Sequence, residues 1–167
     1  MLNAAIWLGA ALFYTVSVAP AMISGDMLAL LGKNFPFYSG SVSQIVRFHY
    51  FYWHAGCAVI ALLHLLAEWL YLGRALNRFW SVLLAVLLAL GLLGSFWLNP
   101  KLGGLHRESY LNVRPESREA AARSFRFWHG VFQAMNVLMI SGVAVYFWRA
   151  TNPPDPLRFV SPAKFRG

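Results

Sequence analysis

The sequence predicts an all-α membrane protein: a four-transmembrane-helix antiparallel bundle with long loops between helices 1 and 2 and between helices 3 and 4. Three observations carry this expectation. Of 167 residues, 59% are hydrophobic and 12% charged, with a mean hydropathy of +0.53. A soluble domain of this length could not bury so much apolar surface, so lipid is the expected solvent. Four stretches, about 4–23, 48–72, 79–99 and 127–148, are each long enough for a helix to cross roughly 30 Å of hydrocarbon, which takes about 20 residues. The run 82–93 holds only Leu, Ala, Val and Gly with no period-two alternation. That argues against membrane strands, and helices then have to satisfy the backbone in lipid.

The first span follows a leader, Met1-Leu2-Asn3, that lacks a basic residue, and its small-residue site Val18-Ala19 runs straight into Pro20. It reads as a retained helix rather than a cleaved signal. The connection 24–47 contains Phe35-Pro36-Phe37-Tyr38 and then Ser41-Val42-Ser43-Gln44, the spacing of a capping box. The second helix is therefore expected to begin near Val42. A short connection, 72–78, makes the second and third helices antiparallel neighbours. The third span carries small residues, Ala85, Ala89, Gly91, Gly94 and Ser95, which let helix backbones approach closely. Before the fourth span, Pro115, Glu116 and Glu119 precede Arg123 and Arg126, the charge order of a helical extension outside the bilayer. The spans form one transmembrane domain, 1–151. The tail, 152–167, holds Pro153, Pro154, Pro156 and Pro162 among basic residues and is expected to be extended.

Seven tryptophans, Trp7, Trp53, Trp69, Trp80, Trp97, Trp128 and Trp148, fall near proposed span ends, where amphipathic indoles form an aromatic belt. The net charge is +8 and the pI about 10.2. The basic residues lie between or after spans, so the expected partner is a bilayer with anionic headgroups rather than nucleic acid. The face without the termini, here face B, carries eight Lys and Arg against six on the terminal face A. The positive-inside rule then leans face B towards the cytoplasm, with a bacterial inner membrane as the expected location.

The second span carries His54, Cys57, His64 and Glu68 within an arc of about 80° at roughly 100° per residue. Ionisable groups inside a span are expensive and mark functional candidates. Arg47, Tyr50, Ala61 and Tyr71 extend this seam. His129, Gln133 and Asn136 share one face of the fourth helix, and Asn3, Trp7, Ala10, Tyr14 and Ser17 one face of the first. Three polar faces are thus expected to converge. Interhelical hydrogen bonding accounts for Tyr14, Gln133 and Asn136, and the single cysteine, Cys57, reads as a small buried hydrophobe.

Sharper roles attach to the histidines. His54 and His129 near face B could ligate haem b axially in an electron-transfer protein, and His64 with Glu68 could form a proton path in a small proton-coupled transporter. No CxxCH, HExxH or dense Cys/His spacing occurs, so covalent haem and a metal site are not expected. Neither a nucleophile–base pair, a phosphate loop nor paired acids are found, and no catalytic residues are assigned.

Trp7-Leu8-Gly9, Phe13, Val18-Ala19-Pro20-Ala21-Met22, Phe35-Pro36-Phe37-Tyr38, Asn99-Pro100-Lys101, Leu105-His106, Phe125, Trp128-His129-Gly130 and Asn136 carry a family likeness. In these motifs the chain resembles a small bacterial four-helix membrane family of unknown function related to eukaryotic transmembrane protein 205. The stripe from His54 to Glu68 and the Pro-rich tail depart from that family's pattern. The resemblance implies an integral membrane protein without established enzymatic activity or cofactor. The leading expectation is a non-catalytic accessory or structural subunit of a larger membrane complex, with other membrane subunits as partners.

Overall fold

The computed structural model describes residues 1–73 and 77–152. Arg74 and the proline-rich stretch 153–167 lie outside the described residues. Among those described the chain is all-helical: α1 Leu2–Ala21, α2 Gly25–Leu31, α3 Phe35–Leu72, α4 Arg78–Leu111 and α5 Pro115–Thr151. The four long helices, α1, α3, α4 and α5, are each long and apolar enough to cross a membrane.

Both connections expected as long loops are largely helical. After α1, the Ser24 side chain accepts from the Met27 N–H at 3.2 Å and starts α2. Gly32, at φ +54°, ends it with the left-handed backbone that glycine adopts without strain. A 3-10 turn, Gly32–Asn34, then leads into α3 with Pro36 in its first turn. Proline is pre-organised for that position, so α3 starts seven residues before Val42. Ser41 does not cap; its hydroxyl donates back to the Phe37 carbonyl at 2.9 Å. At the other end, Gly73 closes α3 in the left-handed region, and Asn77 caps α4 by accepting from the Phe79 N–H at 3.0 Å.

The third helix was expected to end near Asn99, yet α4 continues through Pro100 to Leu111. A wide π-turn explains this. The Asn99 N–H bonds back five residues to the Gly94 carbonyl across Gly94–Leu98. α1 has the same device over Tyr14–Val18, where the Ala19 N–H bonds to the Tyr14 carbonyl. In each helix a proline, Pro20 or Pro100, follows two residues beyond the turn. Proline removes a donor and crowds the carbonyl four residues back, and the widened ladder absorbs both effects. Only 112–114 separate α4 from α5, whose extension begins at Pro115 as the charge order predicts.

α3 and α4 pack along a glycine seam. Gly40 faces His106, Gln44 faces Gly103, Phe51 faces Gly94 and Ala55 faces Gly91, so numbers rise along one helix as they fall along the other. Close approach needs the missing side chains: a Cβ on Gly91 would stand 3.1 Å from the His54 ring, and one on Gly103 would stand 2.8 Å from the Gln44 amide oxygen. Gly91, Gly94 and Ser95 are buried as the packing argument requires, whereas Ala85 and Ala89 face outward. α1 and α5 meet along their length, with Trp7 beside Tyr146 and Thr15 bonded to Asn136. The Ser39 hydroxyl ties α3 to the end of α1 by donating to the Met22 carbonyl.

Candidate functional site

The interior begins at Trp7. It is not part of an aromatic belt: only 1% exposed, it donates from Nε1 to His54 Nδ1 at 2.8 Å. His54 is equally buried and rests against α4 where Gly91 leaves room for its ring. Because Nδ1 accepts, the neutral ring carries its proton on Nε2. Nε2 has no partner of normal geometry, although the Leu87 backbone lies beside it. This histidine is held as a wedge between α1 and α4.

One turn towards face B, Tyr14 and Tyr50 stack with ring centroids 4.1 Å apart. The Tyr50 hydroxyl donates to Asn136 Oδ1 at 2.6 Å, Asn136 Nδ2 donates to Thr15 Oγ1 at 2.9 Å, and Thr15 donates to the Ala11 carbonyl at 2.9 Å. This relay joins α3, α5 and α1 at the π-turn of α1. A buried, fully connected relay fixes which helix faces meet. Tyr14, Tyr50, Asn136 and His54, from α1, α3 and α5, are thus buried close to one another. Cys57 is buried beside them, and its carbonyl accepts from Asn3 Nδ2 at 3.0 Å.

The seam on α3 does not stay inside. His64 and Glu68 form an i,i+4 pair, 3.4 Å apart, with side chains 67% and 27% exposed. The buried face of α3 centres on Arg47, Phe51, His54, Ala58 and Ala61. His64 lies roughly 100° round the helix from that centre at about 100° per residue. From 62 to 71 no residue of α3 is fully buried, and Tyr71 too faces out. The four residues do share an arc, but the arc lies at the edge of the covered face.

Between α1, α3 and α5 lies a cavity of about 300 Å³. Arg47 lines it, 4% exposed, its guanidinium 4.7 Å from the Phe132 ring centroid and beside the Tyr14 phenol. Arg47 Nε and Nη1 are buried without hydrogen-bond partners, and so is His129 Nδ1 on the cavity wall. Gln133 stands at its rim, exposed. His129 lines this space and His54 does not. Arg47 lies in the polar seam by periodicity, but the sequence carries no signal that its charge would lack an acid partner.

A larger cleft, about 390 Å³, lies between the face-B ends of α3 and α4. There His106 Nε2 is already engaged with the Phe37 carbonyl at 3.0 Å, and its ring stacks on Phe37. Among the described residues no three His, Cys, Asp or Glu side chains gather as a metal-binding group.

No curated protein and no solved structure matches the chain. A family description matches residues 2–110, which span α1 to α4 and hold the meeting motifs Phe35-Pro36-Phe37-Tyr38 and Leu105-His106; the fourth-span residues His129 and Asn136 lie beyond it. On that match the chain belongs to the family described as Domain of unknown function (DUF4149).

Proposed function

We propose that this protein is a non-catalytic accessory subunit of a larger membrane assembly, docking through the outer face of α3. The observation that carries the reading is the His64–Glu68 pair, in which His64 faces outward from a spanning helix while Glu68 is half-buried beneath it. His64 is eight residues from the helix end, about 12 Å inside it at 1.5 Å per residue. Polar and ionisable groups facing lipid at that depth are costly. A second transmembrane helix offering a hydrogen-bonding side chain would remove the cost, and Ile60 and Leu63 beside the pair are exposed for apolar contact. The partner is therefore a membrane protein with a polar group at matching depth.

The same reading makes the protein a four-helix antiparallel bundle of a bacterial inner membrane. Face B, with the greater Lys and Arg count, lies in the cytoplasm. Kinship with eukaryotic transmembrane protein 205 belongs to this proposal too.

Photo-crosslinking from position 63 in native membranes tests it. A discrete heterologous membrane protein should be captured, and the capture should weaken in the double variant H64L/E68L. Crosslinks only to lipid, or only to a second copy of the chain, would overturn the subunit reading.

A further inference from the structure

The cavity between α1, α3 and α5 holds a cation that no acid among the described lining residues neutralises. Arg47 is 4% exposed, and two of its nitrogens have no partner. Neither Asp nor Glu is among the residues that line the space. A buried charge is tolerated when it is paired and hydrogen-bonded, and no described residue of the lining supplies an acid to pair with this one. The Phe132 ring face accounts for one side of the guanidinium only. His129 Nδ1 is a second unspent polar atom on the wall, and Gln133 and Ser43 add neutral hydrogen-bonding groups.

The rest of the lining is apolar. Val18, Met22 and Val46 form much of the wall, and Ile23, just beyond α1, is exposed. About 300 Å³ is at the small end of ligand cavities, enough for a head group and the start of a hydrocarbon chain. Since the four long helices can cross a membrane, such a chain can continue into the surrounding lipid.

We propose that this cavity binds the head of an anionic amphiphile, a carboxylate or phosphate oxyanion on a hydrocarbon tail, with Arg47 as its counter-charge. Arginine suits this role because its planar donors match an oxyanion. His129 and Gln133 complete the hydrogen bonding of the head, and Ile23 and Val18 flank the tail. This site is independent of the docking face on α3, since the α3 residues that line it, Ser43, Val46 and Arg47, end about 25 Å along the helix from His64 at 1.5 Å per residue.

Purified full-length protein in a non-ionic detergent is titrated with dodecanoate, dodecyl phosphate, dodecanol, acetate and inorganic phosphate, following heat of binding and thermal stability. Dodecanoate or dodecyl phosphate should saturate at one per chain, at least tenfold tighter than dodecanol, acetate or inorganic phosphate. Which of the two binds more tightly identifies the head group. Arg47→Gln and the cavity-narrowing Val18→Phe should each weaken that binding at least tenfold. Equal affinity for dodecanol would overturn the anionic head, and equal affinity for acetate or inorganic phosphate would overturn the amphiphile. Should Arg47→Gln fail to fold, Val18→Phe and Gln133→Leu decide: wild-type affinity in both would overturn the site.

Discussion

Trp7 Nε1 donates to His54 Nδ1 at 2.8 Å in the buried interior, 47 residues apart in sequence. The bond sets the tautomer of His54 and locks α1 to α3. Trp7→Phe keeps most of the apolar volume and removes the donor. A buried acceptor left without a partner costs about 1–3 kcal/mol, and thermal unfolding in detergent should register that loss. In a double-mutant cycle with His54→Leu the two effects should be strongly non-additive.

The Tyr50–Asn136–Thr15 relay makes a second prediction. Tyr50→Phe leaves Asn136 Oδ1 without its donor, and Thr15→Val removes the acceptor of Asn136 Nδ2. Each should destabilise the fold by about 0.6–2 kcal/mol, the range for interhelical hydrogen bonds in membranes. Denaturation in mixed micelles checks it. A change in Tyr50→Phe no larger than in a surface control such as Tyr52→Phe would contradict the relay.

Glycines on α3 and α4 should divide by what they face. A Cβ on Gly40 would run into the His106 ring, which cannot step aside because it is bonded to the Phe37 carbonyl and stacked on that side chain. Gly40→Ala is expected to lower stability by about 1–3 kcal/mol, the usual cost of overpacking. Gly104 has open space around it. Gly104→Ala should be neutral or stabilising by about 0.5–1 kcal/mol, the helix preference for alanine. Parallel melting curves of the two variants separate these outcomes.

Lys101 places its ammonium 3.8 Å from the Trp128 ring centroid and 5.0 Å from that of Trp97, and the two indoles meet edge to face at 5.1 Å. Lys101→Met keeps the stem and deletes the charge. It should cost about 0.5–2 kcal/mol and shift tryptophan emission, which Lys101→Arg should largely preserve.

The four long apolar helices were legible because lipid imposes length and composition together, whereas the short α2 was not. The inward placement of His54, Tyr14 and Asn136 was legible because helical periodicity groups them. Periodicity could not tell on which side of an arc the neighbouring helices stand, so His64 read as interior. Trp7 read as a headgroup anchor by position alone, because nothing local reveals that His54 waits opposite. Pro100 read as a helix end, since a π-turn that absorbs proline has no composition of its own. The surroundings of Arg47 were hidden for a different reason: that no acid stands among the described lining residues becomes visible only once the cavity is seen.

The two π-turns also bear on how this chain could change length. A wide turn holds one residue more than the regular helix around it, so it acts as a length buffer in an otherwise rigid rod. Removing exposed Val16 would return α1 to a regular ladder while leaving Trp7, Ala11 and Tyr14 in phase with their partners, provided Pro20 were replaced by alanine at the same time. The same deletion at Leu8 would turn every later contact of the helix by about 100°. Single-residue insertions and deletions among relatives should therefore gather at 14–18 and 94–98, each travelling with the loss or gain of the proline that follows.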